Sequence, residues 1–310
     1  MKRRSRTDRS LRHFVEESAK LLADAGLYFG HGSENPLDEA AWLVSHVAGV
    51  SPEGLTARWD EAATPDQAKT IRQLAAKRIR TRQPMAYVIG EAWLAGFRFE
   101  VDHRVIVPRS YLAEPLCERF RPWYKRPDRV TRILDLCTGS GCLAIIAAHV
   151  FPNATVDAVD ISRGALAIAR KNVRSYRLEN RINVIHSDLF NRLPDVKYDL
   201  IVTNPPYVNT RSMSKLPKEY RHEPELALSG GTDGLDIVQR ILEVGPNFLK
   251  SKGNIAMEIG HNRLAFEKRF RLLPVTWLLT SSTSDAVCLV SAADLATCSI
   301  QKNNARKAGK

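Results

Sequence analysis

Two prolines and a tyrosine follow an asparagine at Thr203-Asn204-Pro205-Pro206-Tyr207, directly after the run Tyr198-Asp199-Leu200-Ile201-Val202. Proline cannot donate to a sheet ladder and holds the residue before it extended. Asn204 is therefore expected at the carboxyl tip of a buried strand, which is where ligands bind in an open α/β sheet. The Asn204 side-chain oxygen and the Pro205 carbonyl are two acceptors suited to a planar –NH2 group, and Pro206 and Tyr207 add flat walls. Such a corner could hold an amide nitrogen while it is methylated. The same residues also make an ordinary strand-ending turn, so the reading depends on what accompanies them.

A second constellation lies upstream. Asp135-Leu136-Cys137-Thr138-Gly139-Ser140-Gly141 has the form of a first strand-to-helix turn. Glycines there let a ligand approach the backbone, and the helix that follows presents free N–H groups. Asp160, at the end of the next apolar run, is placed to accept from a ribose diol. Gly139-x-Gly141-x-x-Ala144 with Asp160 about 20 residues on also satisfies the dinucleotide pattern. Asp188, followed by Leu189, comes after a third strand and can accept from an exocyclic adenine amine. With Asn204 after the fourth, successive strand ends offer a row of polar groups that fits an adenosine bearing an amino-acid tail. A nicotinamide enzyme would need an acid/base partner for hydride transfer, and none is evident. His222 and Glu223 could relay a proton but suit ordering a loop over the pocket.

Positioning that row requires a particular order of elements. From Arg132 on, strands are expected at 133–137, 155–160, 182–186, 198–202 and 254–259, with a closing pair at 277–279 and 287–290. Helices are expected at 141–150, 163–174 and 234–249, and a long polar loop at 209–232. This is the βαβ rhythm of a doubly wound, mostly parallel α/β sheet. Ahead of it, Leu11, Phe14, Val15, Ser18, Leu21 and Leu22 mark one amphipathic helix. A second begins near Pro36, and a third follows Thr64-Pro65, with Lys69, Arg72, Lys77 and Arg78 on its solvated sides. Phe97, Phe99 and Val101, then Val105 and Val107, alternate as a β-hairpin ending at Pro108, and a helix is expected over 109–118. The organisation is thus a small N-terminal helical domain at 1–82 carrying a basic arm and serving substrate recognition. A hairpin, helix and basic linker follow at 83–131, the main domain at 132–298, and a basic tail at 299–310 that is expected to be disordered.

The 310 residues carry a net charge of +12, with 44% hydrophobic and 26% charged side chains. The charge is concentrated in residues 1–12 (six basic, one acidic), 118–132 (six basic, two acidic) and the tail. The rest is close to neutral, which argues against a sequence-specific DNA reader. The tails could add weak, salt-sensitive attraction to RNA or the ribosome, or be solvated ends. Cys117, Cys137, Cys142, Cys288 and Cys298 form no C-x-x-C pair and read as reduced thiols, with no metal site and no disulfide framework. No run of about 18 apolar residues suggests a membrane span, and a cytoplasmic location is expected.

Taken together, residues 80–260 resemble the class I S-adenosylmethionine methyltransferases, specifically the HemK-type protein glutamine methyltransferases. The resemblance is carried by Asp135 to Gly141, Asn204 to Tyr207, Glu223-Pro224-Glu225-Leu226-Ala227-Leu228 and Gly231-Thr232-Asp233-Gly234. Val107-Pro108-Arg109-Ser110 with Glu114, and Leu216-Pro217-Lys218-Glu219-Tyr220-Arg221-His222, resemble the branch acting on a large-subunit ribosomal protein. Tyr111 departs from that branch, where a second proline is usual. The resemblance implies S-adenosylmethionine as cofactor, with Asp135, Cys137, Thr138, Gly139, Ser140 and Gly141 around its methionine portion. It implies Asp160 for the ribose, Asp188 and Leu189 for the adenine, and Asn204 with Pro205 for the substrate glutamine amide, beside the cofactor. Release-factor glutamine methylation, adenine-N6 methylation of nucleic acid, and non-catalytic ribosome or RNA binding are the competing expectations.

Overall fold

The computed structural model describes residues 9–298; the basic tail and residues 1–8 of the basic arm lie outside the described residues. The chain forms two compact units. Among the described residues, one holds 9–92 with Val101–His103 and Pro217–His222; the other holds Trp93–Glu100, Arg104–Leu216 and 223–298.

The first unit is built on helices α1 (Leu11–Asp24), α2 (Pro36–Ala48), α3 (Pro65–Thr81) and the single-turn α4 (Met85–Ile89). The first three starts are chemically marked. Ser10 and Asn35 cap α1 and α2, and Thr64 with Gln67 forms a reciprocal capping box ahead of Pro65 on α3, satisfying donors that a helix start leaves open. Leu11, Phe14, Val15, Leu22, Leu43, Val44 and Ile71 make the core. Arg78, expected on a solvated face, is instead fully buried. Its Nε donates to Glu39 Oε1 at 2.7 Å and Nη2 to the Tyr28 carbonyl at 3.1 Å, while Ser33 Oγ donates to Glu39 Oε2 at 3.3 Å. Burial pushes the Glu39 carboxyl up and Arg78 pulls it back. The 217–222 segment joins this unit through Glu219, which accepts from the Tyr28 N–H and pairs with Arg82 at 2.5 Å.

The hairpin is present, but not where side-chain alternation put it. Strands β1 (Glu91–Leu94) and β2 (Phe97–Glu100) pair across Ala95 and Gly96, whose φ values of 52° and 78° give the primed turn that matches strand twist. Val105 and Val107 are buried yet lie outside any strand, because the Val107 N–H donates to Glu223 at 2.9 Å rather than to a ladder. The helix expected at 109–118 shrinks to α5 (Ala113–Cys117). Arg109, Ser110 and the Tyr111 N–H are bound instead to two distant carboxylates.

The second unit carries β3 (Arg132–Leu136), α6 (Cys142–Val150), β4 (Thr155–Asp160), α7 (Arg163–Ser175), β5 (Ile182–His186) and β6 (Tyr198–Thr203). After the short α8 (Thr210–Met213) come α9 (Asp236–Val244), β7 (Leu249–Glu258), α10 (Arg263–Arg269), β8 (Thr276–Leu278) and β9 (Val287–Ser291). The sheet order is β5-β4-β3-β6-β7-β9-β8, parallel through β7 with β9 antiparallel on both sides. Ile133, Leu134, Leu200, Ile201, Val202, Ile255 and Met257 are fully buried, as central parallel strands covered on both faces require. The helix expected at 234–249 stops at Val244 and tightens into one 3-10 turn, Gly245–Phe248. Pro246 brings no N–H to a helix ladder and would clash with the carbonyl four residues back.

Candidate active site

Strand order reverses at β3: β4 and β5 lie to one side of it and β6 to the other. The crevice at the carboxyl ends of those strands is the switch point where open α/β sheets bind ligands. A cavity of about 280 Å³ occupies it, lined by Cys137 and Gly139 after β3, Asp160 at the end of β4, Asp188 and Leu189 after β5, and Asn204 and Pro206 after β6. Pro224, Leu226 and Ala227 of the 209–232 loop and Arg240 of α9 also line it.

The turn after β3 is shaped by Asp135. This carboxylate is fully buried and does not line the cavity. Its Oδ2 accepts from Thr138 Oγ1 at 2.5 Å and from the Ala144 N–H at 3.0 Å, while Oδ1 is buried without a hydrogen-bond partner among the described residues. Burial pushes its pKa up to about 7. Thr138 and Ser140 are likewise buried rather than cavity-lining. Gly141 packs on α7, where an added Cβ would sit 3.3 Å from that of Ala169. Asn172 of α7, completely buried, accepts from the Glu100 N–H and donates to the Ser140 carbonyl at 2.8 Å, stitching the hairpin and the turn to one helix. The Gly139 N–H donates to Asp160 Oδ2 at 2.9 Å, and the Ser162 N–H to Oδ1 at 2.8 Å. Burial pushes the Asp160 carboxyl up, and these two bonds only partly counter it. Cys137 and Leu189 both take left-handed backbone, at φ 59° and 47°, a conformation costly for side-chain-bearing residues and concentrated at functional sites.

Asp188 is already engaged, its Oδ2 paired at 2.8 Å with Arg240. Asn204 is partly buried and faces the cavity, and its carboxamide has no hydrogen-bond partner among the described residues. Tyr207 is not a cavity wall. Its hydroxyl donates to Glu258 at 2.9 Å, its carbonyl accepts from Asn262 at 2.7 Å, and a Cβ at Gly260 would lie 2.6 Å from its ring. Gly234, at φ 81°, passes so close that a Cβ would stand 2.3 Å from the Tyr207 carbonyl oxygen. The loop is secured from the other side by Arg109, whose two terminal nitrogens meet Glu223 at 2.5 and 2.6 Å. Glu223 thus orders the loop. Arg240 and Glu258 escaped sequence reasoning; Asp-Arg and Tyr-Glu complementarity was the only signal for them.

The donor set suits a nucleoside with an amino-acid tail. Two carboxylates stand at neighbouring strand ends to accept from hydroxyl and amine groups, and at Gly139 no side chain blocks access to the backbone. The described residues include no group of His, Cys, Asp or Glu that could hold a metal ion, and no helix long and apolar enough to cross a membrane.

Comparison with known proteins defines the class: the fold is that of a class I methyltransferase, with residues 124–218 matching the Methyltransferase small domain and residues 17–90 the PrmC N-terminal domain. The chain is 48% identical over 288 residues to the ribosomal protein uL3 glutamine methyltransferase of Bordetella pertussis, covering 93% of this chain and 97% of that one. The proteins of the same name from Burkholderia pseudomallei (45%, covering 93% and 96%) and Neisseria meningitidis serogroup B (44%, covering 91% and 93%) are similar throughout. The chain belongs to the family of the ribosomal protein uL3 glutamine methyltransferases.

Proposed function

We propose that the protein transfers a methyl group from S-adenosylmethionine to the side-chain amide nitrogen of a glutamine in ribosomal protein uL3, in the cytoplasm. The observation that carries this reading is the convergence of Gly139, Asp160, Asp188 and Asn204 from four strand ends on one cavity. The substrate is taken from relatives known as ribosomal protein uL3 glutamine methyltransferases, alike over nearly their whole length.

In this reading Asp160 receives the ribose hydroxyls, and Asp188, oriented by Arg240, the adenine amine. Cys137 to Gly141 turn the backbone toward the methionine portion, with Asp135 holding that turn from beneath. When bound, S-adenosylmethionine supplies an electrophilic methyl on a cationic sulfur. The chain's task is to present the amide nitrogen, a poor nucleophile because its lone pair is delocalised into the carbonyl. Asn204 Oδ1 and the Pro205 carbonyl accept from the two amide N–H groups and turn the lone pair toward the methyl. Both bonds strengthen as the nitrogen gains positive character, which is the differential binding that catalysis requires. Because the bound cofactor would give up its methyl as a neutral thioether, no strong base would be needed before transfer, and the proton shed by the methylated nitrogen would pass to solvent.

Asn204→Ala tests the assignment. It is expected to lower kcat by about 10²-fold or more while calorimetry shows cofactor affinity within about twofold of the parent. A folded variant methylating uL3 at the parental rate would remove Asn204 from the chemistry.

A further inference from the structure

We infer that Glu258 is a positioning residue for methyl transfer, acting on the Asn204–Pro206 corner through the Tyr207 hydroxyl, with Ser110 fixing its carboxylate. This rests on the reading of Asn204 as the amide acceptor.

Glu258 ends β7 and has no exposed surface. Burying a carboxylate is expensive unless its oxygens are hydrogen-bonded, and here three donors meet two oxygens. Oε1 accepts from the Tyr207 hydroxyl at 2.9 Å; Oε2 accepts from Ser110 Oγ at 2.7 Å and the Tyr111 N–H at 2.9 Å. Ser110 Oγ also accepts from the Leu112 N–H at 3.2 Å, so its own proton is directed to Glu258. Tyr207 lies outside the cavity that Asn204 and Pro206 line, and so serves them from behind. Its ring presses on Gly260 and its carbonyl is held by Asn262, which leaves the hydroxyl as the contact that sets its tilt. A displacement on the order of 1 Å in a group that orients the substrate costs about 10²-fold in rate. The carboxylate therefore links the Val107-Pro108-Arg109-Ser110 segment to the Asn204-Pro205-Pro206-Tyr207 corner through one rigid hydrogen-bonded chain.

The test is a cycle of Glu258→Gln, Tyr207→Phe and the double variant, each assayed for kcat, KM for uL3 and cofactor affinity. Each single change is expected to lower kcat about tenfold or more, with KM and cofactor affinity within about twofold. The double variant is expected to fall no more than about threefold below the weaker single, since both disturb the same hydrogen-bonded chain through Glu258. Losses that multiply, or a folded Glu258→Gln enzyme with parental kcat, overturn the inference, because a purely structural carboxylate would lower thermal stability alone. Should Glu258→Gln not fold, Ser110→Ala with Tyr207→Phe provides the same cycle while keeping the carboxylate. An inactive Asn204→Ala beside a parental Glu258→Gln removes only this inference. An active Asn204→Ala removes the reading beneath it.

Discussion

Asp135 shows how one side chain can build a site without entering it. Its Oδ2 organises the turn after β3, and its Oδ1 is buried with no partner among the described residues, so burial raises its pKa from 3.8 to about 7. The folded chain therefore keeps a proton that the unfolded chain has shed, over the range between those values. Unfolding free energy from this group falls as pH rises from about 4 to about 7, by a few kcal/mol in order of magnitude. Asp135→Asn is expected to flatten that part of the profile; urea unfolding at pH 5 and pH 7.5 would show it, and an unchanged slope would contradict it. Asp160→Ala, by contrast, removes an acceptor at the cavity wall and is expected to weaken cofactor binding about tenfold or more by calorimetry. The placement of Asp160, Asp188 and Asn204 at strand ends could be read from sequence because each ends or closely follows an apolar run. Glu258 could not, since its partners Ser110 and Tyr207 lie 148 and 51 positions away.

Elements were legible where periodicity and chain punctuation agreed. Asn35-Pro36 and Thr64-Pro65 mark the starts of α2 and α3, and β4 and β5 fall on the expected residues because Val and Ile runs end in polar turns. Legibility failed where tertiary bonds override local pattern. The 105–107 stretch alternates like a strand, yet its Val107 amide is taken by Glu223. Helix α10 left no apolar stripe to read, with Leu264 exposed and Phe266 its only buried side chain. Arg78 on α3 reads as one charge among four, and only folding reveals its buried pair with Glu39. Arg78→Ala strands that carboxylate, and denaturant unfolding is expected to show a loss of about 3–5 kcal/mol. A loss below about 1 kcal/mol, the range of exposed pairs, would show that the pair is not buried in solution.

Across the whole molecule, the doubly wound, mostly parallel sheet follows from the βαβ rhythm, which the sequence displays from Arg132 to Ile259, whereas the order β5-β4-β3-β6-β7-β9-β8 emerges only in the folded chain. Charge is the less informative signal: much of the +12 resides at the ends and in one linker, and the cavity itself carries both signs, with Asp160 and Asp188 facing Arg240. The 209–232 loop contributes residues to both compact units. Incubating the full chain with purified uL3 and labelled S-adenosylmethionine, then locating the label by peptide mass spectrometry, tests the account most directly. The expected product is one added methyl on a glutamine side-chain nitrogen of uL3, absent with Asn204→Ala. Label on lysine, arginine or a nucleic-acid base, with uL3 glutamines unmodified, would contradict it.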